Sequence, residues 1–203
     1  VVRQLASFQQ AVLEGSDSAI IVTDMQGTIQ HFNPAAERLL GYRAAEVIGK
    51  AGPELFHDPD EMQSHARLVA EELGITAPKG FEIFVTLARH GLSDRNEWTY
   101  ITKTGERLPA LASVSGVYSE DGTLLGFMGV AQDISALKQT DERMREAAMV
   151  FEASVDGIMI TNVRGEIRAV NPAFTRITGY SAEEALGQPH DLLNSGRHPA
   201  EFH

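Results

Sequence analysis

Shifting the sequence by 138 positions lays residues 12–49 on residues 150–187 without a gap. Sixteen of these 38 positions are identical, among them Thr23, Gly27, Asn33, Pro34, Ala35, Gly41, Tyr42, Glu46 and Gly49. A period this long exceeds the roughly 20–50 residues of a solenoid unit, so the chain carries two copies of one domain. No other feature constrains the fold as much, because whatever one copy builds from these residues the other must build too. Copy one has room for a whole domain, whereas copy two starts near Val150 and the chain stops at His203. The expected organisation is an amphipathic helix at 1–14, a complete domain at 15–135, a connector helix at 136–150 and the N-terminal part of a second domain at 151–203. The whole is expected to be cut from a longer protein.

Local signals give the order of elements in copy one. Residues 19–23 are apolar and β-branched, Asp24-Met25-Gln26-Gly27 forms a turn, and 28–32 returns as a second strand. Asn33-Pro34 predicts an N-cap followed by proline at the first helical position, with Gly41 closing the helix. A short helical turn follows at 44–48. A longer helix is predicted at 58–73, with Asp58 as N-cap, Met62, Ala66, Val69 and Leu73 on one face, and Gly74 at its end. Residues 81–89 predict another short helix. Three strands follow, at 96–103, 106–118 and 124–134. Two strands, several helices and three strands predict an α+β fold with an antiparallel sheet.

Composition removes several function classes. The chain has no cysteine, which excludes disulfide frameworks, cysteine-ligated zinc, iron–sulfur clusters and thiol nucleophiles. Lys and Arg total 17 against 28 Asp and Glu, a net charge of -11, and no basic patch stands out, so no nucleic-acid partner is expected. No apolar run is long enough to span a bilayer and no signal-peptide pattern opens the chain, so no membrane contact and a cytoplasmic location are expected. Phosphate-binding loops, nucleophile elbows, cyclase and phosphodiesterase signatures and a phospho-accepting histidine motif are all missing from these residues, and no catalytic residue is expected.

Read together, these residues resemble the PAS domain, a family of sensory modules. The resemblance rests on Ile21-Val22-Thr23-Asp24, Gly27, Asn33-Pro34-Ala35, Gly41-Tyr42, Glu46-Val47-Ile48-Gly49, Thr102-Lys103-Thr104-Gly105 and Gly126-Phe127-Met128-Gly129-Val130. Asp133-Ile134-Ser135 is similar to the family's ending, and Asn171-Pro172-Ala173, Gly179-Tyr180 and residues 193–198 repeat the likeness in copy two. The resemblance implies a five-stranded antiparallel sheet with short helices on one face, flanked by amphipathic helices, and a pocket between helices and sheet. By that likeness Ile21, Thr23, Trp98, Tyr100, Ala110, Ala112, Phe127, Gly129 and Ala131 face inward. Phe56, Leu68, Phe81 and Phe84 then close the pocket from the helical side.

The implied function is a sensory and regulatory region of a bacterial signalling protein. It binds a small molecule, dimerises, or does both, and so controls an output domain such as a histidine kinase or a cyclic di-GMP enzyme outside this chain. Two other readings stand beside it. One is a haem- or flavin-binding gas or redox sensor, with His65 on the long helix as the haem-ligand candidate, although His65 lies one residue off the apolar face and reads as a surface histidine. His57 and His90, at helix ends, read as exposed. An adduct-forming flavin site needs a cysteine, and Gln132 has the wrong parity to face a flavin. The other is a ligand-free dimerisation spacer. Ligand identity stays open and no metal site is expected. Asp133 is expected to relay a change in the last strand to the connector, where Leu137, Met144 and Phe151 recur every seven residues. This seam, with Leu5, Phe8 and Val12 near the start, predicts a homodimer through the flanking helices.

Overall fold

The structure, a computed structural model, describes residues 13–92 and 94–193. The expected N-terminal helix with Leu5, Phe8 and Val12, and residues 194–198 of the resemblance, lie outside the described residues. The chain divides into two units after Ala136.

In the first unit, β1 (Ala19–Thr23) and β2 (Ile29–Phe32) form the predicted hairpin. Asp24 organises its turn by accepting hydrogen bonds from the Gln26 and Thr28 amides at 3.0 and 2.9 Å. Helices α1 (Pro34–Leu40), α2 (Ala44–Val47), α3 (Pro59–Leu73) and α4 (Glu82–Arg89) follow, with a 3-10 turn at Pro53–Phe56 before α3. The unit closes with β3 (Asp94–Ile101), β4 (Arg107–Tyr118) and β5 (Leu124–Asp133). All pairings are antiparallel and the sheet order is β2-β1-β5-β4-β3. This is the expected α+β fold. The first and last strands are neighbours at the centre, so the sheet forms only after the whole unit has been made.

Caps sit where the sequence placed them. Asp58 accepts from the Asp60 and Glu61 amides at 2.8 and 3.1 Å at the start of α3, and Gly74 ends that helix with φ +66°. Asn33 caps α1 by accepting from the Ala36 amide at 2.9 Å, but it does more. The same Oδ1 accepts from Ile20 at 2.9 Å, and Nδ2 donates to the carbonyls of Leu13 and Ser18 at 2.9 and 3.0 Å. A fully buried amide thus joins four separate backbone positions.

A single helix, α5 (Ser135–Ala153), runs through the expected connector, and the Ser135 amide donates to Asp133 Oδ1 at 2.7 Å where it starts. The second unit contains a two-stranded hairpin, β6 (Met159–Thr161) and β7 (Ile167–Val170), then α6 (Pro172–Thr178) and α7 (Ala182–Ala185). Its core is small: Ile167, Phe174 and Ala185 are buried, with Met159, Val170 and Leu192 packed on them. Asn171 repeats the Asn33 arrangement bond for bond, accepting from Ile158 and Phe174 at 2.8 and 2.9 Å and donating to Phe151 and Asp156 at 3.1 and 2.9 Å.

Candidate functional site: a cavity over the sheet

Period 2 decides which side chains of the first unit face the helices. Cross-strand register places Ile21, Gly129, Val114 and Asp94 in one row across the sheet, and Ala131 and Ala112 in the next. The middle of this floor therefore carries glycine and alanine, which leave space. Aromatic rings rise around it: Phe81 meets Phe127 at 5.7 Å between centroids, and Phe84 meets Trp98 at 5.6 Å. Between floor and helices lies a cavity of about 50 Å³. That volume takes about four water-sized bodies, since one needs roughly 10–15 Å³ on this measure.

Ile21, Thr23, Phe56, Phe84, Trp98, Tyr100, Ala112 and Phe127 all line the cavity, as do Phe81, Gly129 and Ala131. Leu68 does not. It is 62% exposed, because it sits on the solvent side of α3, away from the buried face formed by Ala66 and Val69. Ala110 is buried in the sheet without reaching the cavity.

The sequence reading missed His57, which is buried, not exposed. Its ring lies 4.3 Å from Phe84, 4.7 Å from Tyr100 and 5.0 Å from Trp98, centroid to centroid. Tertiary contacts hold it there. The backbone at His57 bridges Tyr100, Asp58 N donates to the Thr99 carbonyl at 3.2 Å, and the Glu61 carboxylate accepts from Thr99 N and Oγ1 at 2.6 Å each. Arg107 pairs with Asp58 from the neighbouring strand. The His57 Nδ1–H donates to the Pro53 carbonyl at 2.7 Å, which leaves Nε2 as a bare acceptor in the neutral ring. Burial pushes its pKa down to about 4, opposed by the Pro53 bond and aided by nearby His65. Burial likewise pushes the Tyr100 phenol upward. Both side chains are therefore uncharged at neutral pH.

Thr23 Oγ1 is buried against the cavity without a hydrogen-bond partner among the described residues. Asp94, also missed, lines the cavity at 4% exposure and accepts a hydrogen bond from Asn96 Nδ2. It was legible in principle: β3 starts at Asp94, two residues earlier than expected, and the inward parity of Trp98 and Tyr100 extends back to it.

His65 is not a surface histidine. Its side chain is 11% exposed, 4.9 Å from the Trp98 ring centroid, with Nε2 3.4 Å from Asp94 Oδ2. It does not line the cavity, however, and the cavity is far too small for a porphyrin, so the site does not fit a haem held by His65. Gln132 points away from the cavity, 3.0 Å from Ser18 Oγ, consistent with its parity. His90, by contrast, is exposed as expected.

Comparison with known proteins decides the family. Residues 7–134 match the family described as PAS fold, and residues 142–202 match one described as PAS domain. The chain belongs to the PAS family. Among curated relatives of this PAS chain, the signal transduction histidine-protein kinase AtoS of Escherichia coli strain K12 is 24% identical over 88% of the chain and 25% of its own length. The oxygen sensor protein DosP of the same organism is 24% identical over 93% of the chain and 22% of its own length. The chain thus spans about a quarter of the relatives it matches. In structure it is similar to an RNA-binding light-oxygen-voltage receptor, with a TM-score of 0.54 at 20% identity over 74% of this chain and 39% of that one. That likeness concerns the fold. The chain is a tandem PAS sensory region of the kind found in signalling proteins. No described helix is long and apolar enough to cross a membrane.

Proposed function

We propose that the first unit senses a small molecule held in the cavity, and that the chain passes this state to an output domain of a bacterial signalling protein, a histidine kinase or a cyclic di-GMP enzyme, on the cytoplasmic side. The observation that carries the reading is the cavity itself: a glycine and alanine floor, aromatic walls, a neutral His57 and an unpartnered Thr23 hydroxyl. Buried hydroxyls normally find a partner, and a ligand supplies one. Native mass spectrometry of the purified chain tests it. A bound small molecule, lost in Ala112→Phe, is the expected result. A chain that carries nothing, and in which Ala112→Phe only raises the denaturation midpoint, points to the second reading, a ligand-free spacer. The small volume of the cavity favours that alternative.

Association through α5 belongs to the same proposal. Leu137 and Met144, seven residues apart, are 68% and 69% exposed, and a second copy of the helix gives each an apolar partner. Asp133, bonded to the first turn of α5, is the proposed relay between β5 and this helix.

A further inference from the structure

Among the described side chains that line the cavity, Asp94 alone is acidic, and none is a lysine or an arginine. Its carboxylate is as buried as the core around it, yet it makes one hydrogen bond, from Asn96. An ionised carboxylate accepts about four. His65 Nε2 stands 3.4 Å from Oδ2, within ion-pair distance for a protonated ring, but no hydrogen bond joins the two. A buried carboxylate in this state calls for a positive partner. The same cavity holds a buried polar atom with no hydrogen-bond partner among the described residues, the Thr23 hydroxyl, 6% exposed. Its walls are the rings of Phe81, Phe84, Trp98, Tyr100 and Phe127, whose negative faces attract cations, and the Arg89 guanidinium already lies 4.8 Å from the Phe127 centroid. Asp94 also borders an open groove along which Glu71 and Glu72 outnumber Arg95. The approach to Asp94 thus favours positive charge as well.

We propose that the cavity takes a small organic cation, an alkylammonium of about four to six non-hydrogen atoms, with its ammonium group on Asp94 and its alkyl body over the Gly129 and Ala112 floor. This rests on the ligand-binding reading above and names the class of ligand. The rival counter-charge is a protonated His65, which would neutralise Asp94 from the groove side and leave the cavity indifferent to ligand charge.

The test is calorimetric titration of the full chain at pH 7.5 and constant ionic strength with three probes of one size: n-butylammonium, 1-butanol and butyrate. Butylammonium should bind at least about tenfold more tightly than butanol, and Asp94→Asn should abolish that preference through loss of affinity for the amine. Equal affinities in the parent chain, or a preference that survives in Asp94→Asn, overturn the proposal. Should Asp94→Asn fail to fold, the ranking of the three probes on the parent chain still decides. Binding of butanol or butyrate ahead of the amine refutes the cation and leaves ligand binding intact. No binding by any probe also refutes the cation, and mass spectrometry then judges the wider reading by itself.

Discussion

Replacing Asn33 by alanine removes four hydrogen bonds at once from a fully buried side chain. The N-cap bond alone is worth about 0.5–2 kcal/mol. The other three free the buried Ile20 amide and the part-buried carbonyls of Leu13 and Ser18; a buried orphan costs about 1–3 kcal/mol and a part-buried one less. These losses do not add fully, because the chain relaxes around the gap, so the expected loss is about 3–5 kcal/mol. That is a large share of the roughly 5–15 kcal/mol that holds a domain together. Urea unfolding of the full chain at pH 7 measures it, followed by fluorescence of Trp98, the sole tryptophan, which lies in the first unit. Asn33→Asp refines the result, since it keeps both acceptor bonds but turns a carboxylate toward two carbonyls. Burial raises the pKa of that aspartate in the folded chain. Its deficit relative to the parent should therefore grow as pH rises above about 4 and shrink below it. A loss under about 2 kcal/mol for Asn33→Ala would show that Asn33 is a cap and nothing more, and would refute the four-way reading.

Lowering the pH should destabilise the first unit through His57. Its folded pKa of about 4 lies below the ordinary 6.5, so the unfolded chain takes up the proton first and stability is lost as pH falls through 6.5 toward 4. The linkage amounts to about 2 kcal/mol between pH 7 and pH 5, and a His57→Phe variant whose stability slopes equally over that range would contradict it. Gly27→Ala should lower stability by more than about 1 kcal/mol and displace Phe81, because Gly27 has φ +90° and an added methyl group would run into the Phe81 ring. An unchanged denaturation midpoint would argue against that contact. Sedimentation of Leu137→Glu and Met144→Glu should show weaker self-association than the parent chain, and identical profiles would rule out α5 as the interface.

What could be read from the sequence follows from the range of the forces involved. Hairpins, caps and helix ends depend on neighbours a few residues away. Asp24-Met25-Gln26-Gly27, Asn33-Pro34, Asp58 and the terminal glycines announced their elements within a residue or two. The repeat did the same for domain number, since one set of residues builds the Asn33 and Asn171 arrangements alike. The family resemblance named most of the floor of the cavity, and strand alternation is consistent with it, since residues two apart share a face.

Position across elements was decided by the fold alone. The face that α3 turns to the core admits Ala66 and Val69, as periodicity had it, and leaves in solvent Leu68, which only the family resemblance had placed at the pocket. His57 stands beside a helix N-cap, an exposed setting by local rules. It is buried because Glu61, Asp58 and Arg107 tie that segment to β3 and β4, some 40 to 50 residues further along the chain. Asp94 and His65 come together across α3 and β3 in the same way. Charges and polar atoms acquire their character from what surrounds them after folding. The neutral state of His57 and the burial of Asp94 are therefore properties of the closed cavity, which depends on contacts between residues far apart in the chain.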